Sequence, residues 1–90
     1  MAGLVDSSKP KLATGCRWGG GEAARLVLFP EGAIRVQGTG QRILELCDGE
    51  RTFSELIVQL QLEYSEADIV IRADACRFLE QLHAKRIVDF

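Results

Sequence analysis

Polar and apolar residues change rhythm once along this chain, at Gly38-Thr39-Gly40. Before that point the apolar residues gather in short runs of strand character: Cys16-Arg17-Trp18, then Arg25-Leu26-Val27-Leu28-Phe29, then Ala33-Ile34-Arg35-Val36. Pro30-Glu31-Gly32 separates the last two runs and makes a tight turn, because proline presets φ and glycine lacks the Cβ that restricts it. The pattern predicts a small three-stranded antiparallel meander, with too little apolar surface to stand alone. Residues 1–14 carry only isolated Leu4, Val5 and Leu12, with no period, which predicts a flexible N-terminal arm ahead of a single domain over residues 15–90.

Beyond Gly40 the period is helical. Thr39 is expected to cap a first helix with Ile43, Leu44, Leu46 and Cys47 inward, and Gly49 to end it in the left-handed conformation. Thr52-Phe53-Ser54-Glu55 is a capping box, followed by the stripe Phe53, Leu56, Ile57, Leu60 and Tyr64 of a second helix. Ser65-Glu66-Ala67-Asp68 repeats the device for a third helix running to about Lys85, with Tyr64 stapled onto Ile69. The fold class predicted is α+β and winged-helix-like: a three-stranded antiparallel sheet followed by a three-helix bundle.

The third helix has two apolar faces. Ile71, Ala75, Phe78, Leu79 and Leu82 form an ordinary core-facing stripe, while Ile69, Ala73 and Cys76 gather on nearly the opposite side, bordered by Arg72, Glu80 and His83. A helix of so small a domain buries one side. The second stripe is therefore covered by the arm or a second copy, or it is a binding surface.

Composition removes whole classes of function. The chain has 90 residues, 47% of them apolar, and 11 Lys plus Arg against 13 Asp plus Glu, a formal charge of −2. That balance lacks the basic footprint of a nucleic-acid binder. On the third helix Arg72, Arg77, Lys85 and Arg86 are nearly cancelled by Glu66, Asp68, Asp74 and Glu80, so the helix does not read as a DNA-recognition helix either. No apolar run approaches the roughly 18–20 residues of a membrane span, and the start lacks an export signal. Cys16, Cys47 and Cys76 form no C-x-x-C pair and read as reduced thiols packed as small hydrophobes, which suits the cytoplasm.

No motif carries chemistry. Gly38-x-Gly40 has Ile43 where a dinucleotide fingerprint needs its third glycine, and Gly19-Gly20-Gly21 lacks the Lys-Ser/Thr of a phosphate cradle. His83 is the only histidine, so no metal site is expected. The serines, Ser7, Ser8, Ser54 and Ser65, sit in the arm or at helix starts, away from any nucleophile motif. The chain reads as a binding module without cofactor, not as an enzyme. A strand left at a sheet edge beside a helix with spare apolar surface can capture an extended peptide. The strand best placed is Ala33 to Gln37, with Ile34 expected to offer an edge donor. The same edge could instead pair with a second copy, giving a homodimeric structural or regulatory module. Trp18 is either a lid over the core or an interface anchor.

Three stretches carry a resemblance. Pro10-Lys11-Leu12-Ala13-x-Gly15-Cys16-Arg17, then Leu28-Phe29-Pro30-Glu31-Gly32, then Gly38-Thr39-Gly40-x-x-Ile43-Leu44-Glu45-Leu46-Cys47-Asp48-Gly49 with Thr52 resemble the coenzyme PQQ synthesis protein D (PqqD) family. The wider group is the recognition elements for precursors of ribosomally made, post-translationally modified peptides. The resemblance implies a peptide chaperone in pyrroloquinoline quinone biosynthesis that binds the precursor peptide PqqA and presents it to the radical SAM enzyme PqqE. It implies that the precursor adds as a strand along Ala33, Ile34, Arg35, Val36 and Gln37 and lies against the third helix. Arg72, Cys76, Leu79 and His83 are the helix residues expected to face it.

Overall fold

The computed structural model describes residues 3–20, 25–65 and 68–90. Among these the order is β1 (Lys11–Leu12), β2 (Arg17–Gly20), β3 (Arg25–Phe29), β4 (Gly32–Val36), α1 (Gly38–Glu45), α2 (Phe53–Glu63), α3 (Asp68–Ala84) and β5 (Val88–Asp89). The fold is α+β, with an antiparallel β2-β3-β4 meander followed by three helices, as the change of rhythm predicts. The last glycine of the Gly19-Gly20-Gly21 tip and part of the Ser65–Asp68 box lie outside the described residues.

The sheet presents one face to the helices. Trp18, Val27 and Ile34 stand opposite one another across the three strands, and Val27 is fully buried at 0% exposure. Helix α2 turns Phe53, Leu56, Ile57 and Leu60 inward, and α3 turns Ile71, Ala75, Leu79 and Leu82 inward. Each of these Phe, Leu and Ile side chains, fully buried, stabilises the fold by about 1.5–3 kcal/mol relative to exposure, and Ala75 by less. Trp18 is a half-buried lid packed on this core, with the Arg25 guanidinium 4.4 Å from its ring centre and Arg25 reaching Glu45 at 3.7 Å.

Thr39 is not the cap of α1. Gly38 takes a φ of 60°, a left-handed conformation open to glycine, and the helix begins there with Gln37 as N-cap and no side-chain cap bond. Helix α1 ends at Leu46, one turn before Gly49. Gly49 instead serves the next turn at φ 78°, where Asp48 Oδ1 accepts from the amides of Glu50 (2.9 Å) and Arg51 (2.8 Å). Those two amides, Arg51's first, hold the Asp48 carboxyl below its ordinary range.

The capping box of α2 forms as predicted. Glu55 N donates to Thr52 Oγ1 at 3.1 Å, and Thr52 N donates to Glu55 Oε1 at 2.8 Å. The N-terminal segment completes the end: Phe53 N donates to the Ser8 carbonyl at 2.7 Å and Ser54 N to the Asp6 carbonyl at 3.1 Å. All the first-turn donors are thereby satisfied. Thr52→Ala is expected to lower stability by about 0.5–2 kcal/mol, read as a lower Tm in thermal unfolding. An unchanged Tm would show that the segment alone suffices as a cap.

Residues 3–13 lie against the domain. Strand β1 pairs with β5 through Lys11↔Asp89 and Leu12↔Val88, and Ala13 N donates to the Ile87 carbonyl at 2.9 Å. Two-residue strands have no period to read, so neither was expected from the sequence. Gly49 N donates to the Pro10 carbonyl at 3.0 Å. Farther back, Arg72 of α3 is hydrogen-bonded to the Asp6 carboxylate, and a Cβ placed on Gly3 would stand 3.3 Å from Glu80 Oε2. The segment thus covers part of the second apolar stripe of α3. Cys76 is half-buried, whereas Ile69 is 76% exposed, in solvent and not stapled beneath Tyr64.

Helices α1 and α2 are clasped by a bidentate pair, Arg42 Nε to Glu63 Oε1 at 2.8 Å and Arg42 Nη2 to Glu63 Oε2 at 2.7 Å. Arg42 first, with Gln59 next, holds the Glu63 carboxyl at about 2, below the usual 4.5. A carboxyl depressed by folding contributes stability that is present above pH 4.5 and lost as the pH falls through about 2. Glu63→Gln is therefore expected to flatten the stability slope across that acidic window. Denaturant unfolding at stepped pH checks it, and equal slopes for both proteins would contradict it.

Candidate peptide-binding edge

Strand β4 has β3 on one side and no strand on the other among the described residues. Which of its backbone groups face the open side follows from the register. Phe29 and Gly32 are directly paired across a two-residue loop, and that closing pair exchanges both ladder bonds with each other. Antiparallel pairs alternate, so Ile34 and Val36, opposite Val27 and Arg25, also point their N–H and C=O groups at β3. The groups of Ala33 and Arg35 point outward to the vacant rim, whereas Gln37, just past the strand, is the N-cap of α1 and its carbonyl accepts from Gln41 N at 3.4 Å. The expectation that Ile34 offers an edge donor is thereby corrected. Ile34 is half-buried and Val36 is buried, because their side chains face the core while Ala33, Arg35 and Gln37 are exposed.

A cavity of about 210 Å³ opens between α1, whose first turn follows β4 directly, the end of α2, and α3. Ile43 of α1, Leu60 of α2, and Ile71 and Phe78 of α3 give it apolar walls, and Thr39, Tyr64 and Asp74 add polar groups. Gly40 lies so close to the Phe78 ring that a Cβ there would stand 3.2 Å from Cζ. The space exceeds the roughly 150 Å³ that admits a benzene in an engineered apolar cavity, so one large apolar side chain fits.

The helix residues expected to face the peptide, Arg72, Cys76, Leu79 and His83, do not line this cavity. Leu79 is fully buried at 0% exposure and belongs to the core, since its position in the inward stripe points it under the sheet. Arg72 is engaged by Asp6 and stands 5.7 Å from the centre of the Phe53 ring. His83 Nδ1 is 2.9 Å from the Val88 carbonyl, and its ring lies 4.3 Å from that of Phe90. Arg72 and His83 thus each touch one chain end, Arg72 and Cys76 being half-buried and His83 exposed. The flank at the cavity is Ile71, Asp74 and Phe78, of which the sequence pattern places Ile71 and Phe78 in the core-facing stripe. The signal available was position: Phe78 sits at one margin of that stripe.

The three thiols are free. Burial pushes Cys47 up to about 12, and burial also raises Cys76, reinforced by Glu80, and Cys16, reinforced by Glu31 and Asp89. None is activated as a nucleophile. Among the described residues no group of three His, Cys, Asp or Glu could hold a metal ion, and no helix is long and apolar enough to cross a membrane. What the arrangement offers is a hydrogen-bonding rim with a side-chain socket at its end.

Known proteins resemble this chain in sequence and fold. The "PqqA binding protein" of Gluconobacter oxydans (strain 621H) is 38% identical over 63 residues, which are 70% of this chain and 66% of the relative, just under two thirds of its length. The protein of that name from Stutzerimonas stutzeri (strain A1501) is 33% identical over 82 residues, 89% of this chain and 88% of the relative. The solution structure of the PqqD truncation of Methylobacterium extorquens PqqCD, described as a stand-alone recognition element for ribosomally synthesised, modified peptides, superposes with a TM-score of 0.80 at 27% identity, covering 97% of this chain and 95% of that one. TbiB1, solved in complex with the TbiA(beta) leader peptide, shares the fold with a TM-score of 0.79 at 20% identity, covering 88% and 94%. The family model for coenzyme PQQ synthesis protein D matches residues 25–88, from the first residue of β3 through Val88 of β5, and the chain belongs to the PqqD family.

Proposed function

We propose that this protein captures the precursor peptide PqqA as an added strand on β4 and holds it extended for the radical SAM enzyme PqqE. The observation that carries this reading is the vacant rim at Ala33 and Arg35, beside a cavity that accepts one side chain of the guest. Relatives carrying the name "PqqA binding protein" and a leader-peptide complex of the same fold support it. Backbone bonds to the rim give affinity whatever the guest sequence, and the socket gives selectivity. Ordering a flexible precursor in advance removes entropy that the enzyme would otherwise have to overcome. The chemistry then belongs to the partner enzyme, and this chain is not itself an enzyme. Its three free thiols suit the reducing cytoplasm.

Titration of labelled PqqA into the isotope-labelled protein tests the reading. Saturable binding with amide shifts along residues 33–37 and at Thr39 and Gly40 is expected. The rival occupant of the rim is a second copy of the chain. Loss of peptide affinity as protein concentration rises would mean that the two compete for one edge, and a concentration-dependent dimer with no peptide binding at all would favour the homodimer.

The socket has its own test. Gly40→Ala places a methyl 3.2 Å from Phe78 Cζ, so the ring has to shift at the cavity wall. Alanine is the better helix former by roughly 0.5–1 kcal/mol, so the fold is expected to hold while peptide affinity falls. Unchanged affinity together with an unchanged Tm would remove the socket from the account.

A further inference from the structure

The face of the meander turned away from the helices is a second surface. The register places Arg17, Leu28 and Ala33 in one cross-strand row and Gly19, Leu26 and Arg35 in the next. Both rows project opposite to the Trp18-Val27-Ile34 row that packs on the core, and neither Leu26 nor Leu28 belongs to the core cluster or packs against it. Gly19 keeps the platform flat. A Cβ there would stand 2.9 Å from Leu28 Cδ1, so Leu28 lies over bare backbone. The face is therefore two leucines flanked at one pair of diagonal corners by small residues and at the other pair by arginines.

Arg17 and Arg35 are both exposed and, like Arg77 and Arg86, have no ion pair among the described residues, whereas Arg25, Arg42, Arg51 and Arg72 all have one. Neither row contains an acid, although the chain as a whole is net negative at −2. Two strand spacings across and two residues along separate the arginine backbones by roughly 12 Å. Carboxylates seven or eight residues apart on a helix lie about 10–12 Å apart, with apolar positions three and four residues in from the first.

We propose that this outer face docks an amphipathic helix of a partner protein, with two leucine-like residues seated on Leu26 and Leu28 and a carboxylate at each end paired with Arg17 and Arg35. Charge decides against a second copy as occupant. Face-to-face self-pairing would bring four guanidinium groups together without a carboxylate from either row. The face points away from the cavity, and the rim of β4 lies between the two, so a guest strand and a docked helix can be held at once. The inference does not rest on the identity of the guest peptide.

The probe is a synthetic helical peptide with two central leucines and glutamates seven residues apart across them, titrated into the isotope-labelled protein. Amide shifts centred on the six residues are expected, with affinity that weakens as salt rises. The double variant Arg17→Glu with Arg35→Glu, both solvent-exposed sites, should keep its circular dichroism, lose about tenfold or more in affinity, and bind instead the peptide whose glutamates are replaced by lysines. Shifts confined to another surface, or equal affinity of both proteins for the acidic peptide, would overturn the proposal. So would a self-associated dimer whose dilution alone shifts the same six amides.

Discussion

Arg35→Pro is expected to raise the Kd for PqqA by at least about tenfold and to leave the helical circular dichroism and the Tm close to wild type. Proline removes the one backbone N–H that Arg35 aims at the vacant rim, and its ring fills the space that a guest carbonyl would take. The ladder to β3 keeps its bonds, because those at this end of β4 come from Ile34 and Val36. Edge strands tolerate proline where the lost donor faces solvent. Ile34→Pro would be a poor probe, since it breaks the β3–β4 ladder beneath the fully buried Val27 and confuses loss of binding with loss of fold. Arg35→Ala, which keeps the donor, should retain peptide affinity. Isothermal titration of the three proteins checks the set, and equal affinities for Arg35→Pro and wild type would mean that no strand is added at β4.

Leu79→Ala should lower the unfolding free energy by about 2–5 kcal/mol, measured by denaturant titration. Leu79 is 0% exposed and packs in the cluster that joins α3 to α2 and to Ile87 and Val88. A small domain has only about 5–15 kcal/mol of stability in total, so this single truncation removes a large share of it. The consequence separates core from site. Any loss of peptide binding in this variant should scale with the unfolded fraction and vanish when conditions restore the fold. A variant as stable as wild type but unable to bind peptide would return Leu79 to the contact surface.

Much of this architecture is legible from periodicity. Val27, Leu56, Ile57, Leu60 and Leu79 announce their burial through strand or helix period, and Thr52-x-x-Glu55 announces a helix start through local hydrogen bonding, which needs no tertiary context. The start of α1 lies two residues before the one expected, with Gln37 and not Thr39 as N-cap, because Gly38 can enter the helix from a left-handed φ, a freedom that a propensity argument does not register. Strands β1 and β5 carry no local signal; each exists only because the other is beside it. The site was half legible. That Ala33 to Gln37 forms an edge could be read from the order of the strands, but which of its amides face outward depends on the Phe29↔Gly32 pairing. The helix flank was assigned to Arg72, Cys76 and His83 because their stripe had no visible cover. Asp6, Gly3 and Phe90 approach Arg72, Glu80 and His83 on that flank in three dimensions, and the cavity lies at Asp74 and Phe78.

Amide hydrogen exchange, residue by residue along β4 with and without PqqA, tests the central claim most directly. Ala33 and Arg35 should exchange quickly in the free protein and become protected when the peptide binds, while Ile34 and Val36, already bonded to β3, should change little. Protection appearing at Trp18 and Gly20 on the opposite edge, or nowhere in the sheet despite saturated binding, would contradict it.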